Sequence, residues 1–162
     1  MEQKLIKNSL QDKFSHDIIS FDESSDILTV TINKLAIVQI IQFLKETEGY
    51  NFLTDLCGVH YPDRQLPLGV VYHLHHFQKN SRIRIKTYTS VDSPEVDSIT
   101  SLFSAANWME RETYDFFGIV FLNHPNLIRI LNVEYLDYFP LRKEYPLEDQ
   151  TRTDKDDRFF GR

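Results

Sequence analysis

Apolar positions change their period along the chain, and the changes mark the elements. Leu5, Ile6, Leu10 and Phe14 recur at helical spacing and predict a short amphipathic helix. Residues 18–21 read as a strand, and Asp22-Glu23-Ser24-Ser25 as a turn. Residues 27–32 then alternate, with Thr29 and Thr31 opposite Leu28 and Val30, which predicts a half-buried strand and hence a hairpin. Asn33 can accept from a free backbone N–H at a helix start. Leu35, Ile37, Val38, Ile41 and Leu44 follow at helical spacing, and Gly49 closes the helix.

The second half begins with strands over 51–57, 70–77 and 82–88, the last two joined by Gln78-Lys79-Asn80-Ser81. In the last strand Ile83, Ile85 and Thr87 share one face, while Arg82, Arg84 and Lys86 share the other. The sheet therefore has one face that meets water or a partner. Pro94 opens a turn into a short helix over 98–104. The stretch NWMERETYDFFG predicts another helix, which Gly118 stops. Asn107 and Glu110 have the spacing of a capping box, Glu110 and Glu112 suit the positive end of the helix dipole, and Arg111 can pair with Asp115 four residues on.

Beyond Phe121 the pattern breaks. Residues 132–162 have neither period, yet they carry Tyr135, Leu136, Phe139, Leu141, Tyr145, Leu147, Phe159 and Phe160. A solvated tail is normally poor in aromatics because it has nothing to bury them against. Pro140 and Pro146 favour extended backbone. Composition leaves two readings open: an arm lying on another protein, or an irregular segment packed on its own domain. The expected fold is α+β, a small mixed or antiparallel sheet packed with helices over residues 1–131, followed by an extended C-terminal interaction arm over 132–162.

Bulk properties narrow the function. A chain of 162 residues fits one domain with a tail, and 41% hydrophobic and 26% charged residues suffice for a core. A net charge of −6 argues against nucleic acid as a partner, since phosphate binding needs clustered Lys and Arg. The single cysteine, Cys57, can neither form an internal disulfide nor hold an iron–sulfur cluster, which takes about four thiolates. The N-terminus mixes acids with bases and reads as neither signal nor transit peptide. No segment approaches the ~18 apolar residues needed to span a bilayer, so membrane association is expected only through a partner.

Each chemical constellation has a plainer explanation. His73, His75 and His76 fall in one strand, with Cys57 and His60 the nearest further ligands, but zinc needs three or four converging donors. A soluble metal-dependent hydrolase is the distant reading, and surface or interface histidines the better one. Glu110, Glu112 and Asp115 resemble paired catalytic carboxylates, but capping, dipole and ion-pair roles account for them. The five glycines never cluster into a phosphate-cradling loop, and Cys57 has no activating partner beyond His60. Neither a flavin, a nicotinamide nor a cluster site is visible.

The stretch ANWMERETYDFFGIVFLNHPNLIRIL, followed by FPLRKEYPL, resembles the 30-kilodalton-type subunit of respiratory complex I, the bacterial NADH-quinone oxidoreductase. The family's Glu-Arg-Glu, a later acid, two apolar residues and a spaced His are matched in register by Glu110, Arg111, Glu112, Asp115, Phe116, Phe117 and His124. Its Pro-Leu-Arg-Lys-acid-Tyr-Pro-Leu block is matched by Pro140, Leu141, Arg142, Lys143, Glu144, Tyr145, Pro146 and Leu147. YNFLTDLCGVHYPD and GVVYHL resemble the family more weakly, so coverage runs from about Tyr50 to Leu147. Ile128 replaces the first of two usual basic residues, leaving Arg129, and Val133, Tyr138 and Phe139 replace a Pro and a Gly-His. The path of the chain between Leu131 and Pro140 is therefore where a difference from the family is expected.

The resemblance implies a subunit that carries no cofactor of its own, with FMN and iron–sulfur clusters held in partner subunits. It implies a place in the peripheral arm of NADH:quinone oxidoreductase, on the cytoplasmic side of the bacterial inner membrane. The C-terminal arm would lie on the large quinone-site subunit (the 49-kilodalton type), near the iron–sulfur subunits. The complex passes electrons from NADH to quinone and translocates protons; the chain by itself would be non-catalytic. An equivalent subunit of a membrane-bound nickel–iron hydrogenase is the alternative.

Overall fold

A computed structural model describes residues 2–145. The chain runs α1 (Glu2–Phe14), β1 (Ile18–Asp22), β2 (Leu28–Ile32), a 3-10 turn (Lys34–Ala36), α2 (Ile37–Glu46), β3 (Phe52–His60), β4 (Leu68–His76), β5 (Ser81–Thr89), β6 (Glu95–Asp97), α3 (Ala106–Phe117) and β7 (Val120–Leu122). Five strands form a mixed sheet in the order β1-β2-β5-β4-β3, antiparallel except where β5 returns parallel to β2. β6 and β7 form a separate parallel pair. The α+β expectation therefore holds, and the main sheet is mixed.

The sheet's two faces follow from the two-residue period of a strand. Leu28, Val30 and Ile32 of β2 align with Ile83, Ile85 and Thr87 of β5, and these with Leu74, Tyr72 and Val70 of β4. All nine are buried. Ile6 and Leu10 of α1, with Ile37, Ile40, Ile41 and Leu44 of α2, join them in one core. The opposite face carries a polar ladder, Thr29–Arg84–His73–Asp55. The Arg84 Nε–H donates to His73 Nε2 over 2.7 Å, and His73 Nδ1 lies 3.6 Å from Asp55.

Four local expectations need correction. Thr29 is buried rather than facing water, because the Arg84 guanidinium lies over it and donates to its hydroxyl. Asn33 does cap, accepting from Leu35 N, but it caps the 3-10 turn that leads into α2; Leu35 is 72% exposed, and Ile40 and Phe43 take the inward positions. α2 ends at Glu46, ahead of Gly49, whose φ of 81° turns the chain. Residues 98–104 form turns and not a helix; the Ser98 N–H goes to Leu122 O and the Ile99 N–H to the Glu110 carboxylate. Apart from Phe103 N to Ile99 O, the segment's own bonds span three residues, as in Leu102 N to Ile99 O and Ala106 N to Phe103 O, so no four-residue ladder is built.

Candidate functional site: the acidic helix and the loops it holds

α3 packs against β3, and its buried face is polar. Glu110, Arg111, Thr113 and Asp115 are all buried there beside Ala106. Asn107 lies inside the helix; the N-cap is Ala105, with no side-chain hydrogen bond, so the capping box does not form. Glu110 instead accepts from the Ser98 hydroxyl over 2.6 Å and from Ile99 N over 2.8 Å, and so holds the 98–100 turn. No acid occupies the first turn of the helix.

His124 closes this end of the site. Asn126 N–H donates to Nδ1 over 3.0 Å, which leaves Nε2 protonated to donate to Asn107 O, also 3.0 Å away. Nε2 lies 3.9 Å from Glu110 Oε2, and both side chains are wholly buried. Burial pushes the Glu110 carboxyl up to about 7, against the opposing pull of its Ser98 and Ile99 hydrogen bonds. Since the folded value lies above the unfolded one, the folded state holds the extra proton between them. Stability from this group is present at low pH and is lost as pH rises through about 7. The stability of the wild type relative to Glu110→Gln is therefore expected to fall by roughly 2–3 kcal/mol between about pH 5 and pH 8. Urea unfolding of both proteins at the two pH values measures it, and a pH-independent difference would refute the assignment.

Asp115 binds the opposite loop. Its carboxylate accepts from the backbone N–H groups of Ile130, Leu131 and Asn132 over 3.0, 2.8 and 3.1 Å, and from the Asn132 amide over 3.0 Å. Arg129 Nη1 stands 3.5 Å away. Burial raises its pKa, but the donors from Leu131, Asn132 and Ile130 outweigh that and hold the carboxyl below its ordinary range. The expected Arg111–Asp115 pair does not form. Arg111 reaches instead to the carbonyls of Ile128 and Arg129, and its guanidinium lies over the Trp108 ring. Both side chains leave the helix toward the 128–132 loop, whose own polar groups outcompete the four-residue spacing.

The segment after Leu131 folds back on α3. Gly118 ends the helix at φ 71°, and the Phe139 ring fills the space where a Cβ there would stand. Arg129 and Arg142 lie over Phe139, at 5.2 and 4.6 Å from its ring centre. Arg142 Nε donates to Phe117 O over 2.7 Å, Leu141 N to Phe116 O, and Lys143 N to His60 Nδ1. The first two satisfy carbonyls that the helix end leaves free. The boundary expected at 131/132 is thus crossed by many contacts, and residues 132–145 lie on the first domain. Phe139 is the centre of that packing. Pro140 is half-buried, and Leu141, Lys143 and Tyr145 are exposed. Pro146, with the rest of 146–162, lies outside the described residues.

Other sequence candidates do not converge. His75 meets Asn80 and the Phe77 ring, while His76 packs on Tyr50 and accepts from Lys79 N. Among the described residues no three His, Cys, Asp or Glu side chains are grouped to hold a metal. Cys57 lines a cleft of about 310 Å³ with Asp55, Glu112 and Leu141. Burial, with Asp55 and Glu112 nearby, pushes its thiol up, away from the reactive thiolate. Glu112 is the exposed acid of the motif. Sequence reasoning passed over Ser98, Asn126 and Asn132. Ser98 and Asn132 act by contacts between distant segments, which no local spacing reveals, whereas Asn126 gives only its backbone N–H to His124, two residues away.

Known proteins match the chain in sequence and in fold. The family model described as "Respiratory-chain NADH dehydrogenase, 30 Kd subunit" matches residues 30–151. A protein of Citrifermentans bemidjiense, named as the C-type subunit of NADH-quinone oxidoreductase, is 40% identical over 143 residues, 88% of this chain and 89% of that protein. One of the same name from Geobacter metallireducens is 40% identical over 144 residues, again 88% and 89%. Among solved structures, an Nqo5 fragment superposes with a TM-score of 0.67 at 31% identity, covering 78% of this chain and all of that one. A chain from an archaeal membrane-bound sulfane sulfur reductase gives 0.75 at 19% identity, covering 91% and 87%, a likeness of fold alone.

Proposed function

Because the chain belongs to the 30 Kd subunit family of the respiratory-chain NADH dehydrogenase, we propose that it is a cofactor-free structural subunit of the peripheral arm of NADH:quinone oxidoreductase. In that role it supports electron transfer from NADH to quinone coupled to proton translocation, without taking part in the chemistry. The observation that carries this reading is where the motif's ionisable groups are directed. Glu110, Arg111, Asp115 and Arg129 all bond to the chain's own backbone in the 98–100 and 128–136 loops. Such groups build a rigid surface and are not presented to a substrate.

The surface so built exposes large apolar side chains, with Glu134 and Asp137 between them. Leu131 is 73% exposed and Tyr135 87%, and Ile128, Val133, Tyr138 and Tyr145 are exposed beside them. Exposed apolar side chains gathered on one segment are what an interface would cover. Its proposed partner is the large quinone-site subunit, with the iron–sulfur subunits as neighbours. The chain would sit on the cytoplasmic side of the inner membrane, reached through the complex. No helix among the described residues is long and apolar enough to cross a membrane. The Nqo5 relative is described as a trypsin-resistant fragment, residues 1–134 of that protein, and its fold matches 78% of this chain.

The test is co-purification. A tagged chain expressed in its own cells is expected to bring down an assembly that oxidises NADH with quinone, while the chain purified alone shows no flavin or iron–sulfur absorbance and no NADH oxidation. A flavin or cluster band in the lone chain would overturn the cofactor-free reading. An assembly that reduces protons in place of quinone would overturn the complex.

A further inference from the structure

Away from α3, at the β1 edge of the sheet, a groove of about 590 Å³ opens between the first hairpin, the β3–β4 loop and the end of β5. Ile19, Leu66 and Tyr88 supply its apolar walls, and His16, Lys34 and Arg64 its basic ones. A β-bulge builds part of it. Ile18 pairs with Ile32 and Ser20 with Thr31, so Ile19 is the extra residue. A bulge re-aims the side chain of the residue it inserts. Here the result is an isoleucine 67% exposed at the rim of the groove.

The charge of the groove runs against that of the molecule. The chain has 24 acidic and 18 basic residues, yet no acid is among the residues lining the groove. Arg64 lies over the Tyr61 and Tyr88 rings, and Lys34 Nζ donates to the Thr89 hydroxyl and Ser93 O. Neither cation meets a carboxylate among the described residues. Two cations held in place by stacking and neutral acceptors keep their charge available to an incoming acid, and a planar guanidinium suits a carboxylate well. Leu35, next to Lys34 in the chain, is 72% exposed, and Tyr61, whose ring Arg64 lies over, is exposed too. A small ligand in the groove would leave both uncovered, whereas a polypeptide would cover them.

We propose that this groove is a second docking site of the chain, taking a segment of a neighbouring subunit that presents an Asp or Glu beside a large apolar side chain. The apolar residue packs on Ile19 and Leu66, and the carboxylate meets Arg64 and Lys34. The inference rests on the chain being a subunit of a complex, but not on the arm. It adds a contact made by residues other than those of α3 and the loops it holds.

The experiment uses the assembled complex. A photo-crosslinking amino acid is placed at Leu66, the complex is purified and irradiated, and the joined peptide is identified by mass spectrometry. Arg64→Glu combined with Lys34→Glu is tested in parallel, with a thermal melt to show that the variant folds. The expected result is a cross-link to an acid-plus-apolar segment of another subunit. Incorporation of the charge-reversed chain should fall at least tenfold in competition with the wild type, and be restored when the cross-linked acid is changed to Lys. A cross-link to a basic or uncharged segment, to residues 146–162, to a second copy or to nothing would overturn the proposal, as would undiminished incorporation of the folded double variant. If truncation of the arm abolishes incorporation while the charge reversal does not, the groove inference fails and the subunit reading stands.

Discussion

Asp115→Ala is expected to release the 128–132 loop and to cost the folded chain roughly 3 kcal/mol. That lies between the ~1 kcal/mol of one lost hydrogen bond and the ~5 kcal/mol of a broken buried ion pair. The carboxylate is the shared acceptor of three successive backbone donors and the Asn132 amide, and it stands against Arg129. Removing it orphans all of them together. The loop is partly exposed, so water can take over some of the donors, which keeps the figure below the upper bound. For a chain of this length about 3 kcal/mol corresponds to a melting temperature lower by roughly 6–12 °C. Asp115→Asn should recover little, because its amide would place a donor among donors. Glu112→Ala, on the exposed side of the same helix, should change stability by under about 0.5 kcal/mol.

The pH dependence gives this prediction a second readout. The folded Asp115 carboxyl sits below its ordinary value. Its contribution is therefore complete above the unfolded pKa and is lost as pH falls through the folded one. The stability gap between wild type and Asp115→Ala should close on acidification, the opposite direction to the Glu110 effect. A gap that stays constant down to about pH 2 would mean that shape, and not charge, holds the loop.

The contrast between Glu110 and Asp115 shows what could be read from the sequence. The strands and α2 were legible because burying one face imposes a period on apolar residues. Ile83, Ile85 and Thr87 sit inward as that period requires. α3 was legible as a helix, and Gly118 as its end. The roles of its acids were not. Capping boxes and four-residue pairs are exposed-helix devices, whereas Glu110 and Asp115 are buried and bond to turns 11 to 17 residues away in sequence. The 98–104 turn was hidden too, since Ser98 and Ile99 bond to Leu122 and Glu110, distant in sequence. β6 and β7, at three residues each, are too short to show a period. For residues 132–145, composition left two readings open, and the structure shows packing on the chain's own domain for part of the segment. Phe139 and Arg142 pack inward on α3, while Leu131, Tyr135 and Tyr145 face out.

That division sets the last expected result. Truncation after Leu131 should leave the core folded, because the sheet, α1 and α2 bury their apolar faces without the arm. The melt should be lower but still cooperative, since the cut removes the Asn132 bonds to Asp115, the Phe139 ring over Gly118 and the Arg142 cap on Phe117 O. Loss of incorporation in this variant alone would not separate a damaged surface from a lost partner contact. Leu131→Ala with Tyr135→Ala does separate them. At 73% and 87% exposure these side chains contribute little to the fold, so the melt should move by no more than about 2 °C. On a partner, each would bury apolar surface worth about 1.5–3 kcal/mol, less about 0.5–1.5 kcal/mol for fixing the side chain. The double variant should thus bind the large quinone-site subunit more weakly by roughly 2–3 kcal/mol, or about 30- to 150-fold. Pull-down of that subunit by wild-type and variant chains at graded concentrations measures the shift. Full affinity in the double variant would remove the exposed face of the arm from the interface, and failure of the truncated chain to fold would make residues 132–145 part of the core.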